Sequence, residues 1–164
     1  MVEALARLPE CDLIIVGEGP ERAAIVGLAQ ALRLADHVRL LGRVPQDRLP
    51  EIYTAADLLL LVSSSEGWPN VLLESIACGT AVIVSDIDGI EDIVAAPEAG
   101  VILPETTPSL IAAAVRDFFA APPDRAATRA YAERFDWRST TEGQIALFHQ
   151  IRRRRARRPL APEA

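Results

Sequence analysis

The chain has 164 residues, half of them hydrophobic and few of them aromatic, which suits one α/β domain with an aliphatic core. Its formal net charge of −6 hides an asymmetry, because residues 152–164 hold six arginines and one glutamate while the rest is strongly acidic. An acidic body argues against nucleic-acid binding, which needs a basic surface. No apolar run approaches the ~18 residues of a membrane span. Residues 1–10 lack the apolar core of a secretory signal, so we expect a cytoplasmic protein.

The residues that most often bind metals or react covalently are few and scattered. Cys11 and Cys78 form no C-x-x-C pair, and His37 and His149 are isolated. We interpret the cysteines as reduced, partly buried side chains, His37 as the end of a loop and His149 as a residue on a helix face. Acidic residues with the spacing of a cation site are also missing. The sequence therefore predicts no metal and no resident cofactor.

Short apolar runs and amphipathic segments alternate along the chain. The apolar runs predict five parallel strands covered on both faces, at residues 12–16, 38–41, 58–62, 81–85 and 101–103. The amphipathic segments predict helices at residues 2–8, 21–32, 47–55, 70–77, 90–94, 108–119, 124–134 and 139–155. Thr107 is the expected N-cap of the helix that Pro108 begins, and Gly79 is expected just past the end of the helix over 70–77. Strict β–α alternation indicates a doubly wound, Rossmann-like parallel sheet.

Four loops follow the carboxyl ends of the first four predicted strands, where ligands bind to such sheets. They cover residues 17–20, 42–45, 63–69 and 86–89. The first loop is similar to half of a dinucleotide fingerprint. Arg22 replaces its third glycine, however, and Gly42-Arg43 stands where an acid would bind a ribose, so we do not expect a nicotinamide or flavin site. The glycines are also compatible with tight turns alone.

The third loop and the helix after it carry the most specific signal. Glu66 lies in the loop and Glu74 lies about one turn into the helix, with seven residues between them. A helix N-terminus offers free N–H groups and the positive end of the dipole, which suit a phosphate. Ionised carboxylates instead accept hydrogen bonds from hydroxyl groups. Together these features point to a sugar nucleotide, although each glutamate alone is compatible with a solvated surface acid.

Residues 66–86, EGWPNVLLESIACGTAVIVSD, closely resemble the signature of the retaining glycosyltransferases of family 4. Further matching blocks follow the family's order: VGEGPER, VRLLGRVP, YTAADLLLLVSSSEG and ERFDW. The resemblance implies the GT-B fold of two facing Rossmann-like domains, of which this chain matches only the second, donor-binding domain. It also implies transfer of a sugar from a UDP- or GDP-linked donor to a hydroxyl of a lipid, a glycan or another acceptor. Polysaccharide biosynthesis is the setting expected by association.

The same resemblance implies roles for the two glutamates. Glu66 would lie beside the transferred sugar, either as a nucleophile or as an electrostatic and hydrogen-bonding support, and we favour the support. Glu74 would hold both ribose hydroxyls of the nucleotide. Front-face attack, in which the leaving diphosphate assists the incoming hydroxyl, is the mechanism usual for such enzymes.

Backbone groups supply the rest of the expected donor site. The N–H groups of residues 67–71 would face the sugar and the diphosphate, with Asn70 as helix cap, donor contact or both. The backbone near Arg43 would contact the nucleobase, and Trp68 would line the donor pocket or simply pack. The full set expected at the donor is Gly17, Gly19, Arg43, Val44, Glu66, Gly67, Trp68, Pro69, Asn70, Val71 and Glu74.

The chain also departs from the family pattern. Residues 2–8 resemble the helix that follows the first, central strand of the donor domain, so we expect a gap in the sheet where that strand belongs. The loop after that strand usually brings an arginine and a lysine to the diphosphate, and this chain has no lysine. We therefore expect a fragment, half of a split enzyme with a partner chain, or a degenerate domain. Alone it would bind sugar nucleotide weakly at best and transfer nothing. A non-catalytic sugar-nucleotide- or protein-binding module is the alternative.

Composition separates an arginine-rich tail over residues 152–164 from residues 1–151, which the resemblance implies are a donor domain, incomplete at its N-terminus. We first interpret the tail as a solvated, frayed helix end. The second interpretation is contact with an anionic membrane at its inner face, where each basic residue contributes about 1 kcal/mol. Nucleic-acid contact is the third.

Overall fold

A computed structural model describes residues 1–156, except for the side chains of residues 137, 139, 140 and 154–156. The chain forms two compact units that divide between Ala132 and Glu133. The first unit contains all five strands and seven of the eight α-helices seen in the described part of the chain. The second contains one long helix.

Five short strands form two parallel sheets in the first unit. Strands β1 and β2 make one sheet, and β3, β4 and β5 make the other, with β4 in the middle. Leu13 lies opposite Val38, and Ile83 lies opposite both Leu60 and Val101. The predicted strands are confirmed to within two residues at each end. Their bounds are β1 Leu13–Val16, β2 Val38–Gly42, β3 Leu59–Leu61, β4 Val82–Ser85 and β5 Gly100–Leu103.

The helices alternate with the strands, as predicted. A 3-10 turn over Gln46–Arg48 leads into α3, so the segment predicted as one helix has two parts. Thr107 accepts a hydrogen bond from the N–H of Leu110 and is confirmed as an N-cap. The bounds are α1 Val2–Leu5, α2 Arg22–Ala31, α3 Leu49–Ala55, α4 Asn70–Ala77, α5 Ile90–Ile93, α6 Pro108–Ala120, α7 Arg125–Ala132 and, in the second unit, α8 Trp137–Ala156.

The core of the three-stranded sheet lies around β4, all four of whose residues are buried. Ile83 packs with Leu8 of the segment after α1 and with Ile111 of α6. The neighbouring residues Val82 and Val84 point to the opposite face and are also fully buried. Since burying one such side chain contributes about 1.5–3 kcal/mol, this strand anchors the unit. Coverage of both faces is therefore confirmed here.

The two-stranded sheet is covered on one face only, within the described residues. Val38 packs with Ala29 of α2 and with Val2 and Leu5 of α1. The alternate side chains of Ile14, Val16 and Leu41 are 45%, 39% and 48% exposed. The prediction that both faces are covered is wrong for this sheet. An apolar run predicts a strand, but it does not determine whether one or both faces of that strand are packed.

Strands β1 and β3 each have one edge without a partner strand, which is what a missing central strand between them would leave. Among residues 1–156, β1 pairs only with β2, and β3 pairs only with β4.

Cys11 packs against the cores of both sheets. Burial, together with the charges of Glu10, Asp12 and Asp57, raises the pKa of its thiol. Both cysteines are partly buried and free, as predicted.

Helix α8 runs without a break through residues 151 and 152, where composition placed a domain boundary. The charge step there falls inside one helix. Arg152 and Arg153 are exposed, whereas Arg157 and Arg158 lie outside the described residues. None of the helices in the described part of the chain is both long enough and apolar enough to cross a membrane.

Candidate functional site

The loops after β1 and β2 lie side by side. The N–H of Gly17 donates a hydrogen bond of 2.8 Å to the carbonyl of Gly42. Arg43 directly follows Gly42 and is exposed, while Val44 is half-buried. Gly19 is exposed in the first loop. The structure thus brings together the four predicted site residues of the two-stranded sheet at one edge.

The loop after β3 is attached near its start to the end of the neighbouring strand β4. The hydroxyl of Ser85, the last residue of β4, donates a 2.6 Å hydrogen bond to the carbonyl of Ser63. Beyond this anchor, residues 64–68 are exposed. A Cβ on Gly67 would meet no atom within 4 Å, and Trp68 is 52% exposed. Pro69 is buried at the start of the following helix, so the loop is open to a ligand but fixed at both ends.

Helix α4 begins at Asn70, the predicted first residue. The N-cap is Pro69, and no capping hydrogen bond from a side chain is found there among the residues that the structure describes. The interpretation of Asn70 as a helix cap is therefore wrong, because its backbone is already helical and its own N–H donates to the carbonyl of Trp68. Its exposed side chain remains available to a ligand. An uncapped N-terminus leaves N–H groups and the positive end of the dipole unopposed by a protein side chain.

The two glutamates lie in different environments. Glu66 is exposed and has no hydrogen bond or ion pair with any residue that the structure describes. Glu74, one turn into α4, is half-buried and accepts a hydrogen bond of 3.1 Å from the hydroxyl of Tyr53. Leu72 and Ile76 are fully buried on the core side of the helix, and Leu73 is half-buried. Glu74 is therefore more than a solvated helix residue.

Tyr53 is a site residue that sequence reasoning missed. It lies on α3 and is buried, with 8% of its surface exposed. Burial is the largest cause that raises the pKa of its phenol above the ordinary value, and the charge and hydrogen bond of Glu74 add to this. The phenol therefore stays protonated and donates its hydrogen to the carboxylate. No local sequence spacing predicts the contact between residues 53 and 74, because they lie on two helices that are separated along the chain by β3.

The predicted site residues form two groups. Gly17, Gly19, Arg43 and Val44 lie at the two-stranded sheet, and residues 66–74 lie at the three-stranded sheet. No hydrogen bond or salt bridge found among residues 1–156 joins the two groups. Each group nevertheless lies at the carboxyl ends of its parallel strands, where α/β sheets bind ligands.

An apolar cavity of about 210 Å³ lies elsewhere, with Asp57, Ala81, Phe118 and Phe119 in its lining. Asp57 precedes β3 and Ala81 precedes β4, so this cavity is at the amino-terminal ends of the strands. It holds none of the predicted site residues. The open edge at the carboxyl ends of the strands is the better candidate site, because the N-terminus of α4 and both glutamates are there. The part of the chain that the structure describes contains no cluster of three metal-binding side chains.

Residues 1–135 match the protein family described as glycosyl transferases group 1. The chain belongs to this family. It is 33% identical, over 98% of its length, to D-inositol 3-phosphate glycosyltransferase of Segniliparus rotundus. The group 1 family and its named relatives are transferases, so the resemblance found in the sequence is confirmed at this level.

Solved structures confirm the fold of this group 1 domain. Sucrose-phosphate synthase of Thermosynechococcus elongatus matches 92% of the chain with a TM-score of 0.80 and 28% identity. Anabaena HepE in complex with UDP and glucose matches 91% of the chain with a TM-score of 0.76 at 22% identity, a likeness of fold. The neighbours are GT-B glycosyltransferases. This chain spans 37% of the inositol phosphate transferase, 41% of the synthase and 43% of HepE.

Proposed function

We propose that this chain is the donor-binding part of a retaining, family 4-like glycosyltransferase and binds a nucleoside diphosphate sugar. The observation that carries the proposal is the arrangement around the start of α4. There an exposed glutamate, an uncapped helix N-terminus and a hydrogen-bonded glutamate follow one another in a chain of the group 1 family. Membership of that family favours a transferase over a non-catalytic module.

The helix N-terminus is the natural place for the diphosphate. Backbone N–H groups over residues 67–71 would donate to its oxygens, and the helix dipole would stabilise its negative charge. A diphosphate is not expected beside a carboxylate, and the family resemblance implies that Glu74 faces the ribose and Glu66 the sugar. Carboxylates accept hydrogen bonds from hydroxyl groups, which both of those ligand parts carry.

Glu66 would act on the reacting sugar. As the bond between the anomeric carbon and the diphosphate oxygen breaks, positive charge grows on the ring, and a carboxylate nearby stabilises it. The acceptor oxygen then bonds to the same face of the anomeric carbon, and its proton passes to the leaving diphosphate. Electrostatic support of this kind needs a charged, accessible Glu66, and its exposure in the structure agrees with this.

UDP and GDP sugars are the proposed donors. HepE, which shares the fold, was solved with UDP and glucose. Gly17, Gly19, Arg43 and Val44 would line the nucleotide side of the site. Arg43 is an exposed cation at the carboxyl edge, and Arg22 is an exposed cation at the start of α2, just beyond the first loop. Since the chain has no lysine, we expect further positive charge at the leaving diphosphate to come from a partner or an acceptor-binding domain.

The acceptor is a hydroxyl of a lipid, a glycan or another molecule, and we propose that this chain does not hold it alone. The purified 164 residues are expected to bind the donor and to transfer nothing. Sugar transfer by the chain alone, followed as release of the free nucleotide in the presence of mixed lipid and glycan acceptors, would contradict this. Cytoplasmic location and contact of the arginine-rich segment with an anionic membrane remain predictions.

Calorimetric titration of the chain with UDP, GDP and their sugar conjugates tests the donor site. Wild type is expected to bind one nucleotide saturably, and Glu74→Ala is expected to weaken that binding at least tenfold, because a hydrogen bond to a charged group contributes about 1.5–3 kcal/mol. Glu10→Ala is the matched control, since this exposed glutamate lies at the opposite edge, before β1. No binding to any nucleotide, or equal loss in both variants, would refute the proposal.

A further inference from the structure

The hydrogen bond between Tyr53 and Glu74 has a specific geometry. The tyrosine hydroxyl donates to Oε2 of the glutamate at 3.1 Å, and this is the side-chain hydrogen bond that Glu74 makes within the described residues. A carboxylate has about four lone-pair positions, so one bond leaves the other oxygen and part of Oε2 available. The tyrosine thus fixes the direction of the carboxylate without saturating it.

Tyr53 is itself held by a polar network around the buried side chain of Thr80. Its carbonyl accepts a 2.6 Å hydrogen bond from the hydroxyl of Thr80, which is fully buried just after α4. The guanidinium of Arg125 donates to the same hydroxyl at 2.8 Å and to the carbonyls of Thr54 and Ala56 at 2.9 Å. Thr54 lies in the last turn of α3, where carbonyls lack partners within the helix, and Ala56 is the C-cap.

The same network ties α3 to the end of α4. The hydroxyl of Ser75 donates to the carbonyl of Thr80 at 2.8 Å. Gly79 has a φ of +77°, and a Cβ there would lie 2.8 Å from the carbonyl oxygen of Arg125. Helices α3, α4 and α7 therefore meet around the buried residues Ser75 and Thr80, with the exposed Arg125 at the outer side, and this packing sets the distance from Tyr53 to Glu74.

We propose that Tyr53 is a positioning residue whose hydroxyl orients the Glu74 carboxylate to accept both ribose hydroxyls of a nucleoside diphosphate. This inference rests on the proposed donor site and adds a residue to it. Without the phenol, a glutamate side chain on a helix surface samples several rotamers, and ordering it again on binding costs free energy. With the phenol, the carboxylate is oriented before the ligand arrives.

The state of the phenol supports this role. Burial, then the charge and hydrogen bond of Glu74, and then Cys78 raise the pKa of Tyr53. The hydroxyl is thus a permanent donor at physiological pH. A donor that stays protonated at this pH does not become a second negative charge beside Glu74.

The test takes the nucleoside diphosphate that binds in the titration, UDP or GDP, and compares it with its 2′-deoxy and 3′-deoxy forms. A carboxylate that binds both ribose hydroxyls discriminates against each deoxy form. Wild type is expected to favour the ribonucleotide by about tenfold or more over each, as expected for the loss of a hydrogen bond to a charged group. Tyr53→Phe is expected to reduce this preference to about twofold. Tyr131→Phe is the matched control: Tyr131 is the other tyrosine of the chain, is equally buried, and donates to the carbonyl of Ile93.

The outcomes separate the two proposals. Failure of wild type to bind either UDP or GDP overturns the donor site and the role of Tyr53 with it. Binding by wild type with an unchanged preference for the ribonucleotide in Tyr53→Phe overturns the positioning role alone. An equal loss of preference in Tyr131→Phe also overturns it, because the effect would then be general destabilisation.

A second measurement leaves Tyr53 in place. In Tyr131→Phe, Tyr53 is the remaining tyrosine, and absorbance at 295 nm reports its ionisation directly. At pH 11 an ordinary tyrosine, with a pKa of about 10, is largely ionised. Tyr53 is expected to stay protonated in this background and to ionise more when Glu74→Gln is added, with folding checked by circular dichroism. The same ionisation with and without Glu74→Gln would overturn the contact.

Discussion

Thr80→Val is the sharpest test of the buried network that positions the candidate site. Valine keeps the branched shape and removes the hydroxyl. The hydrogen bonds of this hydroxyl are lost: it donates at 2.6 Å to the carbonyl of Tyr53 and at 3.5 Å to that of Ala56, and it accepts at 2.8 Å from the guanidinium of Arg125. A neutral hydrogen bond contributes about 1 kcal/mol and one to a charged group about 1.5–3 kcal/mol. Arg125 keeps two carbonyl partners, so we expect a loss of about 2–3 kcal/mol in the free energy of unfolding.

Urea unfolding followed by circular dichroism measures this loss in free energy. In a thermal scan, the melting temperature is expected to fall by about 5–10 °C. Thr54→Val is the matched control, because Thr54 is exposed on α3 and only its carbonyl contacts Arg125. Surface substitutions of this kind change stability by about 0.5 kcal/mol or less. A loss below that level for Thr80→Val, or an equal loss for both variants, would refute the importance of the network.

Three further predictions follow from named contacts. Gly79→Ala is expected to lose about 2 kcal/mol of unfolding free energy in the same urea assay, because it adds a Cβ at positive φ against the carbonyl of Arg125. A stability within about 0.5 kcal/mol of wild type would contradict this. Because the pKa of Tyr53 is raised in the folded state, its phenol ionises at lower pH in the unfolded chain, and wild-type stability is expected to fall more between pH 10 and 11 than that of Tyr53→Phe. Urea unfolding of both proteins at both pH values measures the difference, and an equal fall in stability would argue against it. The raised pKa of Cys11 predicts that iodoacetamide labels its thiol several-fold more slowly at pH 8.5 in the native chain than in urea. Mass spectrometry measures the two labelling rates, and equal rates would count against burial of the thiol.

The elements that local pattern defines were predictable from the sequence. All five strands were found because short apolar runs between turn residues have few alternatives in a β–α alternation. Thr107-Pro108 marked the start of α6, and Gly79 marked the end of α4, since each position has a backbone requirement that few residues meet. These signals are encoded within a few neighbouring residues.

The contacts between distant segments were not predictable in the same way. Arg125 donates to residues 45, 69 and 71 positions away along the chain, and no spacing rule connects them. Tyr53 and Glu74 are 21 positions apart on different helices. Asn70 was expected as a possible cap because of its residue type, yet the chain places Pro69 there. Side-chain type states what a residue is able to bind, whereas packing decides which partner it meets.

The start of α4 has to satisfy two opposite electrostatic demands. Its N-terminus suits an anion, yet Glu74 lies only about one helical turn, or about 5.4 Å, further along the axis. Two like charges 4 Å apart repel by about 1 kcal/mol in water and about 4 kcal/mol near a protein surface. A Glu74 carboxylate free to swing towards the N-terminus would therefore weaken diphosphate binding. Since Tyr53 holds that carboxylate towards α3, the hydrogen bond separates a hydroxyl-binding position from a phosphate-binding one on a single short helix.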